Sequence, residues 1–127
     1  MKVKMDRLKV HSDPRGIVFE PIDNDKINSQ KNIHIVISEP GAVRGNHYHL
    51  RGTETLVVVG PALIRFKEND ELQDFEVPSG QVYKFTIPPK VAHAIKNIGD
   101  NSSVLAAFNT VKNIPQKPDQ VMEIILN

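Results

Sequence analysis

The sequence of 127 residues contains no cysteine and no tryptophan, and aromatic residues make up only 6% of it. The absence of cysteine excludes disulfides, iron–sulfur clusters and thiolate catalysis, so any metal site must be built from His, Asp and Glu. Sixteen basic and fifteen acidic residues give a formal charge of +1, with no block of one sign. Composition therefore supports neither nucleic acid nor a membrane surface as a partner.

Long apolar runs are also missing from the chain. The run Leu56–Val59 is far too short to span a membrane, and the first ten residues contain no apolar stretch of signal-peptide length. We therefore expect a cytoplasmic protein. With 39% hydrophobic and 24% charged residues, the chain is expected to form a single globular domain over residues 1–127.

Proline, glycine and other turn residues recur at short intervals, and the runs between them are rich in Val, Ile, Phe and Thr. This rhythm predicts an all-β sandwich or barrel. Residues 33–38 alternate as a strand should, with Ile33, Ile35 and Ile37 on one face and His34 on the other. Residues 55–59 are apolar on both faces, which predicts a strand covered on both sides. The tail, residues 120–126, is compatible with helical turns or with an edge strand.

Three of the five histidines fall in two short segments. His47 and His49 are two residues apart, so on a strand they project side by side. Residues 50–53 are long enough to turn the chain, and Glu54 is then expected on the returning strand of a hairpin, close to His49. His93 follows the rigid corner Pro88-Pro89 and is expected to contribute from a separate hairpin.

Three imidazoles and a carboxylate suit zinc, iron(II), manganese or nickel, and the ligand set does not choose among them. Binding requires neutral imidazoles and an ionised Glu54, so affinity is expected to fall below about pH 6. From spacing alone, a pair of surface or core histidines is an equal alternative to a metal site. His11 and His34 have no spacing partners and are interpreted as ordinary surface or core histidines.

Both segments resemble the two motifs of the cupin superfamily. Residues 41–60 read Gly-x5-His-x-His-x4-Glu-x5-Gly, close to the first motif, although the last glycine comes one residue early. Residues 80–97 read Gly-x7-Pro-x-Lys-x2-His-x3-Asn, with Lys90 where the second motif has glycine. The resemblance implies a double-stranded β-helix (a jelly-roll barrel) in which His47, His49, Glu54 and His93 hold one divalent metal ion in the barrel mouth.

Short sequence segments make the resemblance more specific. They are similar to segments of RmlC-like cupins that act on nucleotide-linked keto sugars. Residues 43–49, Val-Arg-Gly-Asn-His-Tyr-His, are similar to the Arg-Gly-x-His-x-His/Gln segment of 3,5-epimerases and 3,4-ketoisomerases, and residues 13–16 to their Asp-x-Arg-Gly turn. Further likeness, at residues 64–66, 87–89, 97–100 and 118–119, is to the C-terminal cupin of capsular-polysaccharide reductase/epimerases. That family implies zinc and inversion of a carbon next to a sugar ketone. The chain contains no Gly-x-Gly-x-x-Gly motif, so the reductase half is not expected here.

This chemistry assigns roles to three more residues. Arg44 is a candidate clamp for the diphosphate of the substrate, with a structural salt bridge as the alternative. Tyr83 is a candidate acid if it faces the cavity, and otherwise an aromatic on a half-buried strand. A histidine bound to metal is a poor base because its lone pair is occupied, which leaves Lys90 as a weak candidate for the base, against simple solvation.

Three functions follow from these observations. The first is an epimerase or isomerase of a nucleotide-linked 4-keto sugar in polysaccharide biosynthesis. The second is an iron(II) dioxygenase of a small organic substrate, and the third is a non-catalytic cupin that binds a metal or ligand. Val57 and Val59 are expected to point out of the barrel, and because exposed apolar faces are usually covered, we predict a homodimer.

Overall fold

The computed structural model describes residues 2–127. These residues form twelve strands and one short 3-10 helix, Ile27–Ser29. In chain order the strands are β1 (Lys4–Arg7), β2 (His11–Asp13), β3 (Gly16–Val18), β4 (Asn32–Ser38), β5 (Val43–His49), β6 (Glu54–Val59), β7 (Ala62–Glu68), β8 (Glu71–Val77), β9 (Val82–Ile87), β10 (Ala92–Asn97), β11 (Ser103–Asn109) and β12 (Gln120–Met122). Within residues 2–127 no helix has the length and apolarity needed to cross a membrane.

Two antiparallel five-stranded sheets make up the body of the molecule. Sheet 1 has the order β1-β9-β6-β11-β4, and sheet 2 has the order β12-β5-β10-β7-β8. Strands β2 and β3 form a separate hairpin around the Asp13–Gly16 turn. Successive strands repeatedly pass from one sheet to the other, which is the double-stranded β-helix that the sequence motifs imply. The predicted all-β jelly-roll fold is confirmed.

The core lies between the two sheets, where alternate residues of each strand meet. Sheet 1 contributes Leu56 and Phe85, and sheet 2 contributes Ile64 and Phe66, each no more than 2% exposed. The rings of Phe66 and Phe85 meet across the two sheets with centroids 5.6 Å apart. Burial of these faces is the main favourable contribution to folding and holds the barrel walls together.

A second apolar cluster lies on the outer face of sheet 1. Val57, at 1% exposure, packs there with Val82 and Phe108, and the N-terminal segment covers them with Leu8, Val10, Phe19 and Ile22. The strand of residues 55–59 is therefore covered on both sides, as predicted. The expectation of an exposed outer face at Val57 is wrong, because the chain covers that face itself.

The edge strand β4 does leave an apolar face open. Ile33, Ile35 and Ile37 on its outer side are 60%, 61% and 64% exposed, whereas Val36 on the other side packs against the core. At the edge of sheet 2, residues 120–122 form strand β12 beside β5. The C-terminal tail was expected to form either helical turns or an edge strand, and the structure shows an edge strand at residues 120–122.

Candidate metal centre

Strands β5 and β6 carry three of the four candidate ligands, on either side of the loop that joins them. His47 and His49 project from the same face of β5, and Glu54 is the first residue of β6. The predicted hairpin is wrong, because β5 belongs to sheet 2 and β6 to sheet 1. The connection crosses between the sheets instead, and it brings Oε2 of Glu54 within 3.2 Å of Nε2 of His49.

His93 supplies the fourth candidate ligand from β10. It lies directly opposite His47 in the β5–β10 ladder and is 1% exposed. Its Nδ1 is 3.1 Å from the carbonyl oxygen of Val91, so that nitrogen carries the proton and donates it to the carbonyl. The lone pair of Nε2 is then free, which is the arrangement usual for a histidine that ligates a metal.

The four side chains converge on one point. One ligand atom from each of His47, His49, Glu54 and His93 lies within 4.8 Å of all the others. Nε2 of His93 is 2.6 Å from Oε2 of Glu54, but the approach does not have hydrogen-bond geometry, and this buried nitrogen has no hydrogen-bond partner. A buried polar atom without a partner is costly unless something else binds it.

The surroundings of His47 and Glu54 hold both side chains in the charge states that bind a cation. Burial lowers the pKa of His47 to about 4, and the neighbouring His93 adds to the effect, so that this imidazole is neutral at pH 7. Burial by itself raises the pKa of Glu54, but the hydrogen bond from His49 and the close approach of His93 outweigh it and lower the pKa overall. A neutral imidazole and an ionised carboxylate are the forms that bind a metal ion.

These observations fit a divalent cation. Three imidazole nitrogens and one carboxylate oxygen are a normal ligand set for zinc and for other first-row divalent ions. His93 has the two features of a metal-ligating histidine: its Nε2 has no hydrogen-bond partner, and its Nδ1 is bonded to a backbone carbonyl. The donor set alone does not distinguish among zinc, iron, manganese and nickel.

A bulge beside His47 sets the path of β5. The β5–β10 register skips Asn46, and Gly45 and Asn46 have positive φ values of 91° and 57°. A Cβ at Gly45 would lie 2.7 Å from the carbonyl oxygen of His93, so only glycine lets the two strands approach this closely. The Asn46 side chain is held by the C-terminal segment, since Nδ2 donates to the Leu126 carbonyl and Oδ1 accepts from the Ile125 nitrogen.

Asp119 holds the loop between His49 and Glu54. Its carboxylate accepts hydrogen bonds from the backbone nitrogens of Arg51 and Gly52, at 3.1 Å and 2.8 Å, and from Nε of Arg51. Burial raises the pKa of Asp119, but these bonds outweigh it and lower the pKa overall. The C-terminal segment thus stabilises the backbone on both sides of the candidate ligands.

A cavity of about 180 Å³ adjoins the cluster at the barrel mouth. His49 and Glu54 form part of its wall, and other strands and loops form the rest, with Val111 and Pro118 among mostly polar residues: Asn32, His34, Asn109, Lys112, Asn113, Asp119 and Gln120. From the sequence, His34 is interpreted as an ordinary histidine, and no role is assigned to Asn32, Asn109 or Lys112. The alternation in residues 32–38 was the available signal, since it places Asn32 and His34 on the inner face with Val36.

The three other predicted site residues lie apart from this cavity wall. Arg44 is exposed on β5. Tyr83 is half-buried on β9 and packs against Phe75, with centroids 4.9 Å apart, several residues away from Ile87, which pairs with Glu54. Lys90 is exposed in a turn at φ 69°, and its backbone nitrogen donates to the His49 carbonyl at 2.7 Å. The structure brings the four candidate ligands together but does not add these three to them.

Comparison with known proteins agrees with this fold. Residues 11–121 match the family model described as the polysaccharide biosynthesis C-terminal domain. The capsular polysaccharide assembling protein CapF from Staphylococcus aureus is similar in structure, with a TM-score of 0.69 and 27% identity over 93% of this chain and 34% of that chain. The chain thus spans about a third of the length of CapF. No curated protein matches the sequence.

Two smaller proteins share the fold at lower identity. QdtA, a sugar 3,4-ketoisomerase from Thermoanaerobacterium thermosaccharolyticum solved with TDP, has a TM-score of 0.69 and 22% identity over 94% of this chain and 86% of that chain. A dTDP sugar isomerase from Desulfovibrio desulfuricans has a TM-score of 0.77 and 14% identity over 95% of this chain and 83% of that chain.

Two interlocked sheets with a histidine–glutamate cluster in the mouth define an RmlC-like cupin. The match over residues 11–121 is more specific, and the chain belongs to the polysaccharide biosynthesis C-terminal domain family.

Proposed function

We propose that this chain is a metal-binding cupin that epimerises or isomerises a nucleotide-linked 4-keto sugar. Residues 1–127 act in this proposal as one cupin domain. The observation that carries it is the convergence of His47, His49, Glu54 and His93 beside a polar cavity. Membership of a polysaccharide-biosynthesis family and the resemblance in fold to QdtA support the choice of substrate class.

The reaction class follows from what the mouth of the barrel offers. A proton on a carbon next to a ketone can be removed when the negative charge that develops on oxygen is stabilised. A divalent cation held by the four candidate ligands would supply such stabilisation as a Lewis acid. The cavity wall adds the polar groups of Asn32, Asn109 and Lys112, which are suited to orienting sugar hydroxyls and phosphate oxygens.

Metal binding is tested first. Elemental analysis of the purified protein is expected to find about one divalent ion per chain, zinc being favoured by the resemblance to the capsular enzymes. His93→Ala removes a buried ligand and is expected to lose the ion. His11→Ala, an exposed histidine on the β2–β3 hairpin, is the matched control and should keep it. A wild-type protein without metal after supplementation with zinc, iron and manganese would contradict this part of the proposal.

Activity is tested next with a panel of UDP- and dTDP-4-keto sugars in deuterium oxide. We expect deuterium to enter at a carbon next to the ketone for at least one member of the panel. Tight metal binding without any exchange would favour the non-catalytic module, and oxygen consumption that depends on iron would favour the dioxygenase. Each of these outcomes would overturn the sugar-nucleotide assignment.

We propose that the predicted homodimer forms through a different surface from the one expected from the sequence. The exposed outer face of β4 with Ile33, Ile35 and Ile37, and not the covered face at Val57, is the surface that a second copy would bury. We retain the homodimer as a proposal on that face because a long apolar edge strand is rarely left open to solvent.

A further inference from the structure

The four metal-ligand candidates leave the proposed reaction without a base. A metal-bound imidazole has no free lone pair, and the Glu54 carboxylate belongs to the same cluster. A residue that removes a proton must lie in the same cavity and reach the substrate bound there, and histidine is the side chain most often used for this role. Among the described residues of the cavity wall, one histidine lies outside the cluster, His34.

The register of sheet 1 explains why His34 faces the cavity. His34 pairs with Ala107 of β11, and Ala107 pairs with Leu56 of β6. Residues paired across an antiparallel sheet point to the same face, and Leu56 belongs to the core between the sheets. The His34 side chain therefore points inward at the open end of the barrel, where β4 is the edge strand and the ring stays accessible to solvent.

The neighbouring Asn32 selects the tautomer of the neutral ring. Nδ1 of His34 lies 3.2 Å from Oδ1 of Asn32, and an amide oxygen can only accept a hydrogen bond. The proton of the neutral imidazole is therefore on Nδ1, which leaves a lone pair on Nε2. A histidine that acts as a base usually has a second residue hydrogen-bonded to its other ring nitrogen. That residue fixes the tautomer and the orientation of the ring.

From this geometry we infer that His34 is the catalytic base of the reaction proposed above, with Asn32 as its positioning residue. This inference rests on the proposed function. It assigns to a residue outside the cluster the proton transfer that the candidate metal ligands cannot perform. Besides Glu54, the charged residues on the same wall are Lys112 and Asp119. Asp119 is engaged with Arg51 and Gly52, and Lys112 is suited to attracting the diphosphate of the substrate.

The step balances without any further reactant. Nε2 of His34 takes the proton from the carbon next to the ketone: the C–H bond breaks and an N–H bond forms. The C–H electron pair becomes a carbon–carbon double bond, and the carbonyl π pair moves onto oxygen. In a keto shift the imidazolium returns the proton to the former carbonyl carbon, while the hydroxyl proton passes to the former carbonyl oxygen. Exchange of the imidazolium proton with solvent introduces deuterium into the product.

The test compares wild-type protein with His34→Gln, with His11→Gln as the matched control on an exposed histidine away from this cavity. Deuterium uptake is measured on the sugar found active for the wild type, substrate binding by calorimetry, and metal content by elemental analysis. We expect His34→Gln to slow uptake by about 100-fold or more while substrate affinity and metal content change by less than about twofold. His11→Gln should behave as wild type.

A chemical rescue separates proton transfer from a structural role. Imidazole added to His34→Ala is expected to restore part of the uptake, and it should have no effect on Asn32→Ala, which retains the ring. Uptake by His34→Gln within about threefold of wild type would overturn the assignment and leave the proposed function standing. Loss of substrate affinity or metal in His34→Gln would also overturn it, because His34 would then be a binding residue. No uptake by the wild type would overturn the proposed function and this inference together.

Discussion

Asp119 accepts a hydrogen bond from the backbone nitrogen of Gly52 at 2.8 Å and thereby joins the C-terminal segment to the loop between two candidate ligands. Gly52 is buried, so removal of the carboxylate leaves its N–H without this partner inside the protein. The distance between His49 and Glu54 depends on the conformation of this loop. A residue distant in sequence from every ligand thus helps to set the geometry of the site.

The first prediction concerns that carboxylate. Asp119→Ala is expected to destabilise the protein by about 1–3 kcal/mol because it leaves a buried N–H without a partner. It should also weaken zinc binding, measured by competition with a chromophoric chelator. Asp25→Ala, on an exposed loop, is the control and should change neither quantity. Unfolding in urea gives the stability, and an unchanged zinc affinity in Asp119→Ala would contradict the role of the loop.

The second prediction separates steric overlap from backbone strain at two glycines. Gly41 and Gly45 have positive φ values of 80° and 91°, but a Cβ meets nothing within 4 Å at Gly41 and meets the His93 carbonyl at 2.7 Å at Gly45. We expect Gly41→Ala to cost about 1 kcal/mol from strain alone. Gly45→Ala should cost about 2–4 kcal/mol and reduce metal content, since it pushes β10 away from β5. Equal losses in urea unfolding would contradict the close approach.

The third prediction is a pH dependence of the metal-free protein. The folded-state pKa of His47 is lowered by burial to about 4, below the ordinary histidine pKa of 6.5. The unfolded chain therefore binds more protons between these values, and stability is expected to fall as pH drops from 6.5 toward 4. The loss should be about 1–2 kcal/mol after allowance for the partial exposure of the ring.

Glu54 does not obscure this test, because its lowered pKa affects stability only below the ordinary glutamate pKa of 4.5. In His47→Gln the slope of stability against pH between 6.5 and 4.5 should be reduced, as followed by urea midpoints at each pH. A variant with the slope of the wild type would show that His47 is not the titrating group.

The fourth prediction concerns the face of β4. Wild-type protein at micromolar concentration is expected to have the mass of a dimer by light scattering. Ile35→Asp places a charge at the centre of the exposed row and should give a monomer of 14.2 kDa with an unchanged circular dichroism spectrum. Leu72→Asp, an equally apolar exposed position on the edge strand β8, is the control and should remain a dimer. A wild-type monomer would refute the dimer outright.

The sequence was sufficient to predict most strands of the barrel and the convergence of the four candidate ligands. Alternation is a local property, so the shared face of His47 and His49 follows from their spacing alone. The motif match then related Glu54 and His93 to them, although these residues lie on different sheets. The polar strand β8 was not recognised, because its exposed face of charged residues hides the usual apolar signal.

Features that depend on pairing between distant strands could not be predicted. The hairpin expected between His49 and Glu54 is a crossing between sheets, and nothing in residues 50–53 reveals which strand each neighbour pairs with. His34 was passed over for the same reason, since its place at the cavity depends on the β4–β11–β6 register. The cover over Val57 likewise comes from the N-terminal segment, whose route is set by tertiary packing.

Glu54 projects from sheet 1 and the three histidines from sheet 2. A cation bound by all four would therefore crosslink the two sheets. Chelation should then loosen one rim of the molecule selectively. Amide hydrogens near Glu54 and His93 are expected to exchange faster with solvent, while those around Phe66 and Phe85 remain slow. Metal supply would in this way govern the rigidity of the rim as well as its chemistry.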